Sequence, residues 1–330
     1  MAQILVVAPS WIGDAVLSHP MLVRLKARDP QGAIDVLAPP WVLPVYGRMP
    51  QVRDAFSLPF GHGEVKLGER KRFAKTLPRY DQAIVLPNSW KSALIPWHAD
   101  IPLRTGYLGE MRYGLVNDAR SLDERKVPLL VERFAALAES SGAMPVRPVP
   151  EPRLAVDAAA RNATLAKFGL ATGRPVVAMA PGAEYGPAKR WPARHFAQAA
   201  RTLHARGCDV WLFGSAKDAS ITAEIAGLSG GIVTDLAGRT SLDEAIDLLS
   251  LATKVVSNDS GLMHVAAALD RPMAALFGSS SPEFTPPLSA SARVVTLHLS
   301  CSPCFKRVCP LGHTNCLVLL EPERVLAALD

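Results

Sequence analysis

The chain has 330 residues, 49% apolar and 20% charged, and its 36 Lys and Arg against 30 Asp and Glu leave a formal charge of +6. That length predicts two domains, the composition suits a soluble globular protein, and the charge points to acidic partners: nucleotides, a phosphorylated substrate or an anionic membrane surface. Nucleic acid is disfavoured because the basic residues are scattered, a signal peptide because no basic segment precedes the first apolar residues, and a spanning helix because no apolar run reaches about 18 residues. These features predict a cytoplasmic protein that can still touch a membrane face.

Ile4 to Ala8 reads as a buried parallel strand. The turn Pro9-Ser10-Trp11-Ile12-Gly13-Asp14 follows, then a helix with Val16, Leu17, Met21 and Leu25 on one side, which Pro20 must kink or begin. Strands are predicted at Ile34–Ala38, Val52–Leu58 and Ala83–Leu86, with helices near Glu64–Leu77 and Trp90–Trp97. The stretch Arg104 to Tyr113 is rich in Gly, Arg and Tyr and reads as a binding loop, and a helix from Leu130 to Ser140 closes this half. Between Met144 and Pro152 stand Pro145, Pro148, Pro150 and Pro152, a linker composition. This divides the chain into domains 1–152 and 153–330.

The rhythm then restarts with a helix at Ala158–Phe168. Strands are predicted at Pro175–Ala180, Asp209–Phe213, Ile232–Asp235, Lys254–Ser257 and Met273–Phe277. Helices lie between them at Ala193–Arg206, Ala219–Leu228 and Leu242–Leu251. A last helix, Pro322–Leu329, can pack on either domain. Alternating strands and helices make this an α/β chain with two doubly wound parallel sheets.

Chemistry is expected where strands end, since open parallel sheets bind ligands at their carboxyl edge. After the first strand, Asp14 is either an N-cap or a general base. No G-x-G-x-x-G stands there, which disfavours a dinucleotide site and an NAD-dependent dehydrogenase. In the second half, Pro181 to Pro192 joins a Gly/Ala turn to Lys189, Arg190 and Trp191. It is either a surface loop or a diphosphate cradle in which lysine is a point charge and arginine a fork. Phe213-Gly214-Ser215-Ala216-Lys217-Asp218 can hold a ribose or base, or is an ordinary loop. Val255 to His264 is a strand, a polar turn and a helix start. It is either a helix capped by Asp259 or Ser260, or a phosphate site with Gly261 admitting the ligand. His264 is either a ligand contact or a buried core histidine. A fifth loop runs from Gly278 to Pro287. Cys208 reads as core. Cys301, Cys304, Cys309 and Cys316, with His313 nearby, are either reduced structural thiols or a zinc site.

These stretches, together with Leu86-Pro87-Asn88-Ser89, Lys91 to Leu94, Gly109-Glu110-Met111-Arg112-Tyr113-Gly114 and Phe284-Thr285-Pro286-Pro287-Leu288, resemble the bacterial ADP-heptose:lipopolysaccharide heptosyltransferases of glycosyltransferase family 9. The resemblance runs over nearly the whole chain in order. It implies a GT-B fold, two Rossmann-like domains facing a central cleft, with an acceptor-binding N-terminal and an ADP-heptose-binding C-terminal domain. The implied reaction transfers L-glycero-D-manno-heptose to heptose I of the lipid A–Kdo–heptose inner core with inversion. Asp14 is then the base on the acceptor hydroxyl, and Lys189 with the helix start at Ser260-Gly261 stabilises the leaving diphosphate. Gly182, Glu184, Tyr185, Ser215, Asp218, Asp259 and His264 fall on the donor side. Ser10, Trp11, Gly13, Asn88, Lys91, Arg104 and Arg112 fall on the acceptor side. No DxD-type pair supplies a metal site, so no cofactor is expected beyond the donor. The implied enzyme is a monomer, peripheral at the cytoplasmic face of the inner membrane. A nucleotide-sugar epimerase on the same fold and a non-catalytic nucleotide-binding module are the competing readings.

Overall fold

The computed structural model describes residues 1–61 and 63–330. The chain separates into two compact units, Met1–Pro152 and Arg153–Asp330.

The first unit contains β1 (Gln3–Val7), α1 (Ile12–Leu17), α2 (His19–Arg28), β2 (Ala33–Ala38), α3 (Leu43–Gly47), β3 (Asp54–Ser57), α4 (Leu67–Ala74), β4 (Gln82–Val85), α5 (Trp90–His98), β5 (Leu103–Tyr107), β6 (Asp118–Arg120) and α6 (Leu130–Ala136). Its sheet has the order β3-β2-β1-β4-β5-β6, and every pairing is parallel. β1 is apolar throughout its buried part because both its neighbours and the covering helices exclude water. Pro20 lies in the first turn of α2, where its missing N–H costs nothing, and the chain breaks at Ser18 rather than kinking.

The second unit contains α7 (Ala158–Phe168), β7 (Val176–Ala180), α8 (Ala193–Ala205), β8 (Asp209–Leu212), α9 (Ala219–Ser229), β9 (Val233–Asp235), α10 (Leu242–Leu249), β10 (Lys254–Asn258), α11 (Gly261–Ala268), β11 (Met273–Leu276), β12 (Ala292–Val295), α12 (Asn315–Val318) and α13 (Pro322–Ala327). Its sheet order is β12-β11-β10-β7-β8-β9, again all parallel. Asp157 caps α7 through Ala159 N and Ala160 N, and Ser241 and Glu244 form a reciprocal capping box on α10. The core gathers Trp191, Phe196, Leu203, Leu276 and Leu317, with Trp191 edge-on to Phe196 at a centroid distance of 4.8 Å.

One expectation is corrected, two further strands appear, and one open alternative is decided. The Arg104–Tyr113 stretch is not all loop: its first part is β5, whose Thr105 is fully buried and accepts from Gln82 Nε2 at 2.8 Å while donating to Asp118 Oδ2 at 2.8 Å. β6 and β12 carry no apolar run and exist because a neighbouring strand supplies their hydrogen-bond ladder. The last helix packs within the second unit, where Val325, Leu326 and Leu329 join the core beside Phe196.

Candidate active site

In each sheet the strand order reverses at one place, between β1 and β4 in the first unit and between β7 and β10 in the second. Loops leaving the carboxyl ends of such a pair diverge and leave room for a ligand. Asp14 lies just after β1 and Asn88 just after β4, while the Pro181–Pro192 loop follows β7 and Asp259 follows β10.

In the second unit the loops after β7 and β10 are stitched together by Asn258, which is fully buried. Its Nδ2 donates to Pro181 O at 2.7 Å and its Oδ1 accepts from Trp191 N at 3.0 Å. This places Lys189 Nζ 2.5 Å from Asp259 Oδ2, and Ser280 Oγ donates to the same oxygen at 2.5 Å. Lys189 also stands 5.1 Å from the Tyr185 ring centre. The loop after β11 thus enters the site through Ser280, which belongs to the fifth loop, Gly278 to Pro287.

The first turn of α11 has no side-chain cap; Ser260 Oγ lies 3.4 Å from Ser257 Oγ instead. Asp259 precedes the N-cap residue Ser260, and its Oδ2 holds Lys189 and Ser280. The capped-helix alternative is therefore not what forms, and the turn keeps N–H groups for an anion. One turn further, His264 is buried and its Nδ1 has no hydrogen-bond partner among the described residues. Burial lowers its pKa to about 4, with Asp259 opposing and Lys189 adding to the shift, so the imidazole is neutral at pH 7. Ser279 Oγ and Arg190 Nε are likewise buried without a partner.

The loop after β8 behaves differently. Asp218 Oδ2 accepts from both Ser215 N and Ser215 Oγ, at 2.9 and 2.8 Å. These two polar groups shape their own turn. Gly182 is required beside it, since a Cβ there would lie 2.5 Å from the Asp218 carboxyl carbon. Glu184 accepts from Lys217 Nζ at 2.6 Å, so both are held at the exposed rim.

In the first unit Trp11 occupies the N-cap position of α1 and Asp14 lies in its first turn, so Asp14 is not the N-cap. Asp14 is half-buried, and its charge adds to the burial that keeps the Tyr46 phenol protonated. Gly13 is buried beside it. Trp41 Nε1 donates to Ser10 O at 2.9 Å, and Trp11 and Trp41 are each about half exposed (47% and 48%). Trp41 is a neighbour of this loop that the sequence reading did not single out; two tryptophans left in water beside a polar turn are the signal that could have found it.

Around β4 and β5, Arg112 is 1% exposed. Its guanidinium donates to Tyr107 O at 3.0 Å, to Pro87 O at 2.5 Å and, at 3.5 Å, to Asn88 Oδ1. Arg104 donates to Leu115 O at 2.7 Å, Ile101 O at 2.5 Å and Gly114 O at 3.2 Å. Both side chains tie backbone carbonyls of their own loops, three in the case of Arg104. Glu110 and Met111 just before Arg112 lie in the left-handed region, at φ 46° and 51°, and Met111 and Tyr113 are exposed at 86% and 73%. Lys91 is tied loosely to Gly63 O at 3.2 Å. Among the described residues no helix is long and apolar enough to cross a membrane.

The model of glycosyltransferase family 9 (heptosyltransferase) matches residues 70–315. The chain is 48% identical over 338 residues to lipopolysaccharide heptosyltransferase 2 of Salmonella typhimurium, covering 99% of this chain and 97% of that protein. It is 47% identical over 307 residues to lipooligosaccharide heptosyltransferase 2 of Haemophilus influenzae, covering 89% and 88%. Among solved structures, that of Escherichia coli ADP-heptose LPS heptosyltransferase II matches with a TM-score of 0.89 at 45% identity, over 99% of this chain and 97% of the other. A family 9 glycosyltransferase from Veillonella parvula shares the fold, with a TM-score of 0.84 at 21% identity over 99% and 95%. Two all-parallel α/β units of this type, matched by a family model over most of the chain and by relatives at nearly half identity, establish that the chain belongs to glycosyltransferase family 9, the heptosyltransferases.

Proposed function

We propose that this glycosyltransferase moves L-glycero-D-manno-heptose from ADP-heptose to heptose I of the lipopolysaccharide inner core, with inversion at the anomeric carbon. The observation that carries this reading is the near full-length identity to relatives named lipopolysaccharide heptosyltransferase 2. The epimerase and binding-module readings are not favoured by it.

The second unit is the donor side. Lys189 and the first turn of α11 face the diphosphate charge, which grows as the anomeric C–O bond breaks and ADP leaves. The unpartnered Arg190 Nε, His264 Nδ1 and Ser279 Oγ gain partners from the bound nucleotide sugar. A neutral His264 can donate or accept there without adding charge. Tyr185, Glu184 and Gly182 shape the wall, and Ser215 and Asp218 support it from behind.

The first unit is the acceptor side. Asp14 takes the proton from the attacking hydroxyl as the new C–O bond forms. Ser10, Trp11, Gly13, Asn88 and Lys91, with the exposed Trp41, Met111 and Tyr113, form the surface that meets the inner core. The enzyme works as a monomer at the cytoplasmic face of the inner membrane and without a bound metal in its reaction.

The test is heptose transfer from ADP-heptose to a mono-heptosylated lipid A–Kdo acceptor in the presence of EDTA. Wild type should transfer, and Asp14→Asn should lose about a hundredfold or more in kcat while ADP affinity is unchanged. A folded wild type that transfers nothing would remove the assignment, and free heptose as the product would favour the epimerase.

A further inference from the structure

Cys301, Cys304, Cys309 and Cys316 all line one small cavity of about 20 Å³, with His313, Ser279 and Ala188 completing its wall. None of the four is in a disulfide. Gly312 N donates to Cys309 O at 3.1 Å and closes the turn that carries this cysteine. A cavity of this size has room for about one ion, and four of its lining residues carry a soft sulfur.

The same segment is fastened to the donor loops. Phe305 N donates to Ser279 O at 2.7 Å, Ala188 N to Arg307 O at 3.1 Å, and Tyr185 Oη to Phe305 O at 2.8 Å. Ser302 Oγ donates to Gly278 O. A Cβ on Gly186 would lie 2.5 Å from Arg307 O, so the two backbones touch directly before Lys189.

We propose that Cys301, Cys304, Cys309 and Cys316 form a tetrathiolate site for one thiophilic divalent cation, zinc or ferrous iron, that clamps segment 301–316 against the loops carrying Lys189 and Ser280. Among the described residues no group of three or more His, Cys, Asp or Glu side chains is already arranged to hold a metal ion. The sulfurs therefore have to draw in around the cavity, to about 2.3 Å from the metal for zinc. His313 Nδ1 accepts from Asn315 N at 3.0 Å, which makes the histidine a brace of the turn, not a ligand. The clamping half of the proposal rests on the donor-site reading; the metal half does not.

The experiment is metal analysis of the intact protein purified under reducing conditions, followed by cobalt(II) titration of protein stripped of metal. The expected result is about one zinc or iron per chain, and a sulfur-to-cobalt charge-transfer band with tetrahedral ligand-field bands that saturates near one equivalent. Cys304→Ser and Cys309→Ser should lose the bound metal and weaken the band, while His313→Ala keeps both. Stripped protein should bind ADP more weakly and recover on adding zinc. Absence of metal in the isolated wild type, together with a cobalt spectrum lacking the thiolate band, would overturn the site even if the cysteine variants failed to fold. Full metal occupancy with ADP affinity independent of it would overturn the clamp alone. Neither metal readout needs the acceptor, so loss of the heptosyl-transfer reading would leave the site standing.

Discussion

The two sheet edges are built on opposite principles. At the edge of the second unit, charge is turned inward: Lys189, Asp259 and Ser280 meet in a mostly buried cluster, and polar atoms of Arg190, His264 and Ser279 are left unpaired. At the edge of the first unit, Arg112 is held by backbone carbonyls, and the groups left outward are Trp11, Trp41, Met111 and Tyr113. The first arrangement is preorganised for a small anionic ligand that replaces missing partners. The second is an open surface whose rigidity comes from below, suited to a large amphipathic molecule that is only partly engulfed.

The sharpest way to break this contrast is Lys189→Ala. It removes the cation and strands Asp259, so ADP affinity by calorimetry should fall about 10–100-fold and stability by about 2–4 kcal/mol. The double variant Lys189→Ala/Asp259→Ala should recover much of the stability but not the ADP affinity. Recovery of both would mean that the pair is structural only.

His264 provides a pH test. Its folded-state pKa near 4 lies below the unfolded value near 6.5, so the folded state binds fewer protons between them. Stability from this group is complete above about pH 6.5 and falls as pH drops toward 4, by up to about 3 kcal/mol. His264→Gln should flatten urea-unfolding stability over that window. An unchanged slope would mean that the imidazole titrates alike in the folded and unfolded states.

Gly182→Ala sharpens the donor wall. The added methyl meets the Asp218 carboxyl that Ser215 holds in place, and denaturation should report a loss of about 1–3 kcal/mol. On the other unit, Tyr113→Ala should change stability by no more than about 0.5 kcal/mol while raising KM for the lipid acceptor and leaving KM for the donor alone. A large stability loss there would erase the distinction between the two edges.

The long strands and helices were legible because their apolar periodicity states which face is buried, and the Pro-rich stretch preceding residue 153 because proline suits neither element. The loops that follow β1, β7 and β10 were legible too, since an apolar run broken by a polar turn marks where a buried strand ends. Arg112 shows the limit. Glu-Met-Arg-Tyr-Gly reads as a loop offering a cation to solvent, yet the backbone at Glu110 and Met111 turns the guanidinium inward and the neighbours outward. The sign of a side chain's direction is a property of φ and ψ that residue type does not encode.

By itself the sequence determined two α/β units, the absence of a dinucleotide fingerprint and the list of polar residues at strand ends. The tertiary structure alone decided which of those residues meet. Lys189 and Asp259 are 70 positions apart and pair only because β10 lies beside β7 and Asn258 ties their loops. It also decided which donors are spent, tying Arg104 and Arg112 to backbone carbonyls and leaving Arg190 and His264 with unpaired nitrogens. Pairing across strands depends on sheet order, and sheet order is set by the packing of whole elements, which no local window of residues contains.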